Sequence, residues 1–415
     1  MNFYKKHKTH LIQLLLFVVT VITTTLSGYE WVSGKMIYGA EVSWSEIFLI
    51  GMYFSIPFLG ILTVHEFGHY IAARLYKIKV TLPYYIPMYI PFFINIGTMG
   101  ALIRLKGAVQ SRKQFFDIGV AGPLAGFVVA IAVLFYGFTN LPPVESIYEI
   151  HPEYEEFGND YAKYVYEEDY MRTRDSLAYF AYQTKDSIAF VKEKKNTAQK
   201  WRRSIYDREE RPLSLFSIGT NLTFMFFEAY VVEDKALIPN KYEIMHNPWI
   251  FAGFLALFFT AMNLLPIGQL DGGHILYGLI GYEKSKKLSE YFLYAFILYA
   301  GIGLVPFGMP LSMMALYLPL YLLFLFIVFK KIERTPIEKI LIAVIIVSIQ
   351  YLTSYFFPSL EGYNQWLLFV FIIGRFLGVY HPRAMDDSPL DAKRKVIGWI
   401  ALIVFVISFS PQPFM

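Results

Sequence analysis

Nine apolar runs, separated by short charged segments, organise most of the chain. They cover about residues 11–26, 46–76, 115–138, 248–265, 288–305, 311–329, 337–357, 365–380 and 396–410. Each run is long enough, or nearly so, to cross a bilayer as a helix. The first run is either a signal peptide or a spanning helix, and the lack of an obvious small-residue cleavage site near Ser27 and Gly28 favours the helix. The pattern predicts an all-α polytopic membrane protein with eight to nine transmembrane helices.

The basic residues between the runs indicate an orientation. Lysine and arginine cluster in alternate connecting segments, at residues 74–79, 104–113, 284–287, 330–334 and 383–395. The short segments 303–310 and 357–364 contain neither residue. Because cytoplasmic loops carry the excess of positive charge, the basic segments and the N-terminus, with Lys5, Lys6 and Lys8, are predicted to face the cytoplasm. We expect an integral protein of the inner or plasma membrane.

The segment between residues 76 and 114 does not fit a simple helix. Proline interrupts it at Pro83, Pro87 and Pro91, and it is rich in aromatic residues. Gly97 and Gly100 bracket a predicted turn, followed by alternating apolar and basic residues that indicate a short strand. We expect a re-entrant, β-hairpin-like segment. Such a segment is tolerated at membrane depth only where protein covers it or where it lines a wet cavity.

Residues 139–247 form the one long polar stretch, predicted to be an extracytoplasmic insertion with helical segments around 161–199. The other expected units follow from the apolar runs. They are an N-terminal helix and loop (1–45), a transmembrane core with the hairpin (46–138), a helix with a candidate metal motif (248–287) and C-terminal helices (288–415).

Composition narrows the function. The 415 residues are 56% hydrophobic, with a mean hydropathy of +0.43, which fits a membrane protein rather than a soluble domain. The net charge of +4 is small and lies between apolar runs, so nucleic-acid binding is a poor explanation. The chain has no cysteine, which leaves histidine and carboxylate as its strong zinc ligands.

His65 and His69 stand four residues apart inside the second apolar run. On a helix this spacing places both imidazoles on one face, where they can bind one zinc ion, with Glu66 beside them as a candidate general base. Ionisable residues are costly at membrane depth and are usually functional there. A metal site is therefore favoured over a hydrogen-bonded polar cluster between helices.

A hydrolytic zinc site normally has three protein ligands. The best third candidate is Asp271, because Pro266 ends or kinks the preceding helix and the adjacent glycines allow close backbone approach. A carboxylate at this depth is expensive unless it binds a cation; the alternative is a helix-capping role. His274 lies nearby but is expected to remain outside the zinc site.

Two motifs together resemble the site-2 protease family of intramembrane zinc metalloproteases. They are His65-Glu-Phe-Gly-His69 and Asn263-Leu-Leu-Pro-Ile-Gly-Gln-Leu-Asp271-Gly. Segments 97–101, 117–126 and 381–391 are similar to further motifs of the archaeal and bacterial branch of that family. The resemblance thus runs over most of the chain, although residues 140–210 match no motif of the family.

The resemblance implies hydrolysis of peptide bonds in or near transmembrane segments of membrane proteins, within the lipid bilayer. One zinc ion per chain would be held by His65, His69 and Asp271, with Glu66 as the catalytic base. Asn263 would contact the substrate or the oxyanion. The segment with Gly97 and Gly100 would offer a strand edge to an unwound substrate.

Two other functions remain open at this stage. A membrane scaffold or chaperone-like relative would keep the zinc site without cutting. A metal-ion transporter would need several carboxylates or histidines along a pathway, whereas the sequence offers one compact set.

Other residues around the motifs are expected to be structural. Asp117, close after Arg112 and Lys113, is predicted to cap a helix or pair with these charges. The glycines of the same helix, Gly119, Gly122 and Gly126, are predicted to serve close helix packing.

Overall fold

The computed structural model describes residues 2–37, 42–91, 95–166 and 216–414. Within them the chain is mostly helical, with one small sheet. The helices are α1 (Asn2–Ser33), α2 (Trp44–Leu75), α3 (Arg112–Thr139), α4 (Tyr161–Val165), α5 (Leu222–Tyr230), α6 (Pro248–Leu264), α7 (Asp271–Ile280), α8 (Tyr282–Ala300), α9 (Leu311–Val328), α10 (Pro336–Phe356), α11 (Trp366–Ile372) and α12 (Ala392–Ser408). The strands are β1 (Tyr84–Pro87) and β2 (Thr98–Leu102).

Five helical segments are long and apolar enough to cross a membrane, judged by length and composition. They are Lys8–Ser33, Trp44–Leu75, Arg112–Thr139, Leu311–Lys331 and Pro336–Phe356. Pro248–Leu264 and Trp366–Leu377 are apolar but shorter. These helices support the predicted membrane class. Helices α8 and α12 begin with charged turns, which shorten their apolar parts, and the count of eight to nine spans stays a prediction.

Helices α1 and α2 pack closely through small residues. A Cβ atom on Gly51 would lie only 2.0 Å from the carbonyl oxygen of Thr25. The hydroxyl oxygens of Thr25 and Ser55 are 2.8 Å apart, a buried hydrogen bond between the two helices. Small residues permit such close backbone approach between membrane helices. Residues 11–26 therefore belong to a helix that is part of the packed structure, as the spanning-helix prediction requires.

The predicted hairpin is present as an antiparallel pair of strands, but the turn expected between Gly97 and Gly100 is wrong, because Gly100 lies within β2. Tyr84 pairs with Leu102 and Tyr85 with Ala101, and a β-bulge follows before Pro87 pairs with Thr98. A bulge bends a strand and increases its twist. Among the described residues, β2 pairs with β1 alone, so its other edge carries no neighbouring strand there.

Helix α1 covers the hairpin segment and binds its backbone. The side-chain amide of Gln13 donates to the carbonyl of Leu82 at 2.5 Å. Further along the helix, Thr23 Oγ1 donates to the carbonyl of Gly97 at 2.6 Å, and the Trp31 indole donates to that of Asn95 at 2.6 Å. An unsatisfied backbone group costs several kcal/mol in lipid, so these donors stabilise non-helical chain beside the spanning helices.

The helices pack around two separate hydrophobic cores. Phe54 of α2, Leu134 of α3 and Phe254 of α6 are fully buried in one core. Helices α8 to α11 surround a second core, in which the buried side chain of Gln350 donates to the carbonyl of Ile297 at 2.9 Å. Helix α12 packs back against α3, α6 and α7. Outward-facing side chains such as Leu311, 80% exposed, are suited to lipid.

The described parts of the polar stretch consist mainly of short elements. The 3₁₀ turns Val144–Glu149 and Pro152–Asp160 precede α4, and Ile244–His246 precedes α6. Helix α5 is apolar. Most of the helical region expected at 161–199 lies outside the described residues.

Candidate metal centre

The two histidines of α2 meet the aspartate of α7 at one point. His65 and His69 are four residues apart on an unbroken helical segment, and their Nε2 atoms are 3.1 Å apart. Asp271 Oδ2 lies 3.5 Å from the Nε2 atom of His65 and 3.3 Å from that of His69. All three side chains can direct a ligand atom to a common centre.

The turn before α7 positions Asp271. A Cβ on Gly272 would lie 2.0 Å from the carbonyl oxygen of Leu264, and one on Gly273 would lie 2.2 Å from that of Gly268. Only residues without a side chain permit such a tight return after α6. The N-cap of α7 is Leu270 and not Asp271, so the capping role considered for the carboxylate is not observed.

A backbone carbonyl orients His69. The Nδ1 atom of His69 is 2.7 Å from the carbonyl oxygen of Ile118, which can only accept a hydrogen bond. The proton of a neutral imidazole is therefore on Nδ1, and the Nε2 lone pair points towards His65 and Asp271. Outer partners of this kind fix the tautomer of a metal-binding histidine and raise its basicity.

The glycines of α3 make room for the centre. A Cβ on Gly122 would lie 2.1 Å from the Nε2 atom of His69, and one on Gly126 would lie 3.1 Å from the Cβ of His65. At Gly119 the added atom would lie 2.5 Å from the Cβ of His274. The prediction that these glycines serve helix packing is confirmed.

Glu66 lies next to the hairpin formed by β1 and β2. Its side chain is buried, with the residue 6% exposed, and its carboxylate interacts with the backbone of Ile103 just beyond β2. One turn earlier in α2, the hydroxyl oxygens of Thr63 and Tyr85 are 2.7 Å apart, which joins α2 to β1. The sequence did not reveal this link, because neither residue belongs to a recognisable motif.

The three further residues predicted for substrate contact lie in different surroundings. Asn263 reaches the centre, with its Nδ2 atom 3.4 Å from the Nε2 atom of His65. Gly97 packs against α1, where a Cβ would lie 2.3 Å from the Cα of Thr24. Gly100 has open space around it and a φ angle of 100°. Only Asn263 of these three therefore contacts the histidine pair.

His274 has another partner. Its Nδ1 atom is 2.6 Å from the Nε2 atom of His381, in the segment that leads to α12. The expectation that His274 stays outside the candidate ligand set agrees with this arrangement, since the group of converging ligand atoms does not include it.

The donor set fits zinc. Two imidazole nitrogens and one carboxylate oxygen are usual ligands in hydrolytic zinc sites, and tetrahedral coordination at about 2 Å separates its donors by roughly 3.3 Å. The three measured separations, 3.1, 3.3 and 3.5 Å, bracket that value. A carboxylate buried against two neutral imidazoles also lacks a compensating charge, which a cation would supply.

Known proteins agree with this chemistry. The profile described as Peptidase family M50 matches residues 53–305, which include both motifs. The probable zinc metalloprotease EGY2, chloroplastic, of Oryza sativa subsp. indica is 23% identical over 273 residues, 66% of this chain and 37% of the relative. The probable zinc metalloprotease EGY1, chloroplastic, of Arabidopsis thaliana is 27% identical over 256 residues, 61% of this chain and 33% of the relative.

The chain spans about a third of the length of these relatives. No solved structure matches it significantly. The predicted zinc cofactor is supported by the names of the relatives and by the ligand geometry. The family match covers more than half of the chain, and the apolar helices make it an integral membrane protein. The chain belongs to peptidase family M50, the family of the site-2 proteases.

Proposed function

We propose that the protein is an intramembrane zinc metalloendopeptidase that hydrolyses peptide bonds in or near transmembrane segments of other membrane proteins. The observation that carries this proposal is the convergence of His65, His69 and Asp271, with Glu66 adjacent to the first histidine. The relatives that share the family are named as probable zinc metalloproteases, which agrees with the proposed activity.

His65, His69 and Asp271 would hold the metal. Bound zinc supplies Lewis acidity, which polarises a carbonyl and lowers the pKa of water. Glu66 lies beside the ligands on the same helix and can accept the proton of the attacking water. It can then pass that proton to the departing amine, so that one carboxylate acts first as base and then as acid.

Two neighbouring groups would position the substrate. The amide of Asn263 is a hydrogen-bond donor next to His65, where it can stabilise the negative charge that develops on the carbonyl oxygen. The edge of β2 away from β1 can pair with an extended substrate strand, since the Ile103 backbone beyond this strand already faces Glu66. A substrate helix must unwind before its peptide bonds can pair in this way.

The basic segments on either side of α1 and α2 suggest how the protein is oriented in the membrane. Segment 74–79 carries Arg74, Lys77 and Lys79 directly after α2, and the N-terminus carries a second basic cluster. The positive-inside rule then places both on the cytoplasmic side. His65 and His69 lie in the last third of α2, so the metal centre would be closer to the cytoplasmic face.

The test uses Glu66→Gln in the full chain, reconstituted in lipid with a membrane protein that has one transmembrane helix. We expect cleavage to fall by about 10²–10⁴-fold, because the amide cannot accept the proton, while zinc content stays unchanged. Glu46→Gln is the matched control, since Glu46 is exposed in the first turn of α2 and should cut normally. Undiminished cleavage by Glu66→Gln would exclude Glu66 as the base, and no cleavage by the wild-type protein would contradict the proposed function.

A further inference from the structure

The geometry points to a second metal site in the polar stretch, formed by His151, Glu243 and His246. This site would bind one zinc ion or a similar divalent transition-metal ion. The ligand atoms of these residues lie within 4.8 Å of one another. Their Nε2 to Oε2 separations are 3.1 Å for His246 and 3.8 Å for His151. The donor set, two imidazoles and one carboxylate, repeats that of the first centre, but none of its residues belongs to the family motifs.

His246 is held in the orientation that a metal ligand requires. Its Nδ1 atom is 3.0 Å from the carbonyl oxygen of Val32, near the end of α1. Because that carbonyl can only accept, the proton of the neutral ring lies on Nδ1, which leaves the Nε2 lone pair available for a metal. His69 obtains the same orientation from the Ile118 carbonyl in the first centre.

Glu243 provides an independent indication of a bound cation. The residue is 3% exposed, and its Oε2 atom is buried without a hydrogen-bond partner. The Nε2 atom of His246 lies 3.1 Å from this oxygen, but the two atoms do not form a hydrogen bond. Among the described residues, no lysine or arginine forms a salt bridge with Glu243. A buried carboxylate in such surroundings is costly unless a cation binds it.

The third ligand is also restrained. The ring of His151 stacks on Tyr154, with centroids 4.6 Å apart, and lies edge-on to the ring of His246 at 5.4 Å. His151 stands between the two 3₁₀ turns, Val144–Glu149 and Pro152–Asp160. Both imidazoles therefore approach the carboxylate from rings that are already fixed by neighbouring groups, which lowers the entropic cost of coordination.

A cavity beside the three residues can complete the coordination. It has a volume of about 190 Å³ and is lined by Glu243 and His246 together with Asn247 and residues of both 3₁₀ turns. Three protein ligands leave one position of a tetrahedral site for water, and a space of this size admits it. The ion would be solvated from the cavity and remain exchangeable.

The site would join three parts of the chain. His151 belongs to the polar stretch after α3, Glu243 and His246 lie directly before α6, and the Val32 carbonyl belongs to α1. Helix α6 continues from here to Asn263 at the first centre, roughly 23 Å away at 1.5 Å per residue. The two ions would therefore occupy opposite ends of α6, and the second would stabilise the polar stretch against α1.

The experiment counts zinc in the full-length protein after equilibration with zinc and removal of free metal. We expect about two equivalents in the wild type, one in His69→Ala, one in Glu243→Gln and none in the double variant. Glu145→Gln, an exposed carboxylate in the nearby 3₁₀ turn, is the control and should retain both. One equivalent in the wild type that His69→Ala removes would overturn the proposal, as would loss of an equivalent in the control.

A second readout remains available if Glu243→Gln fails to fold. Cobalt(II) titrated into His69→Ala should give the visible absorption of a four-coordinate ion, because only the second site remains. Adding His151→Gln, which removes a partly exposed ligand, should weaken cobalt binding by at least about tenfold. Absence of the absorption, or unchanged affinity after His151→Gln, would overturn the assignment. Neither result depends on peptidase activity, so this test is separate from that of the proposed function.

Discussion

The guanidinium of Arg394 holds the carboxylate of Asp117 with two hydrogen bonds. Arg394 Nε donates to Oδ1 and Nη2 donates to Oδ2, each at 2.8 Å. The pair joins the beginning of α12 to α3, the helix whose glycines pack against His65 and His69. The C-terminal helix is thereby fixed to the wall of the metal centre, and a two-pronged contact of this kind restricts both distance and angle.

Asp117→Asn should destabilise the protein. The amide keeps the shape of the side chain but loses the charge, and hydrogen bonds to charged groups contribute about 1–3 kcal/mol when they are partly buried. We expect a lower thermal midpoint in detergent. A double-mutant cycle with Arg394→Gln should show a favourable coupling energy, whereas the exposed residue Lys393, changed to Gln, should leave the midpoint unchanged. A coupling energy near zero would contradict the assigned role of the pair.

The sequence predicts that Asp117 caps a helix or pairs with the basic residues just before it, and the structure shows neither arrangement. Ser111 caps α3, and Arg112 Nε donates to the carbonyl of Gly278 at 3.0 Å. The partners of Asp117 are distant in sequence: Arg394, 277 residues away and three residues after the N-cap of α12, and Tyr76, the C-cap of α2, whose hydroxyl donates to Oδ2. Local spacing reveals neighbours on one helix, but contacts between distant segments depend on how helices pack.

The same difference between local spacing and long-range contacts decides which parts of the metal centre the sequence predicts. The four-residue spacing of His65 and His69 is a local property of a helix, so the sequence could predict that they share a face. The role of Asp271 could be predicted from its chemistry, because an isolated carboxylate in an apolar run requires either a bound cation or a helix-capping role. The Ile118 carbonyl that orients His69 could not be found, since every residue has such a group and only the fold selects one.

The prolines and glycines of the sequence predict the hairpin, but they do not predict that α1 packs against it. Thr23 and Trp31 lie in or beside an apolar run, where they are typical of a spanning helix. Their role as donors to Gly97 and Asn95 depends on α1 lying against the hairpin, which no periodicity in the sequence indicates.

Gly122→Ala should disrupt the first metal centre. The added methyl would lie 2.1 Å from the His69 Nε2 atom, so the imidazole must move. We expect loss of one zinc equivalent and of peptidase activity, although alanine is otherwise favourable in a helix. Zinc content and cleavage rate measure the effect. Gly60→Ala is the control, because nothing lies within 4 Å of its Cβ position, and it should be neutral or stabilising by up to about 1 kcal/mol. Full zinc content in Gly122→Ala would show that the ring position is not needed for binding.

Gly97→Ala should detach the hairpin from α1. Both Gly97 and Gly100 have positive φ angles, 85° and 100°, so alanine introduces backbone strain of about 1–2 kcal/mol at either position. Only at Gly97 would the new atom also collide with α1, 2.3 Å from the Cα of Thr24. Cleavage should therefore fall further in Gly97→Ala than in Gly100→Ala, with an increase in KM. Equal losses in the two variants would show that strain alone explains the effect and that contact with α1 does not support the strand.

Asn263→Ala distinguishes substrate contact from support of the histidine. The Nδ2 atom of Asn263 is 3.4 Å from the His65 Nε2 atom, so the amide is near the ligand without belonging to the converging set. If it stabilises the developing oxyanion, its removal should lower kcat by about 10²–10³-fold while KM and zinc content change little. His274→Gln is a matched control for metal content, since His274 lies on α7 beside the centre but pairs with His381. Loss of zinc in Asn263→Ala together with full zinc in His274→Gln would instead assign Asn263 to positioning of His65, and the role in catalysis would have to be withdrawn.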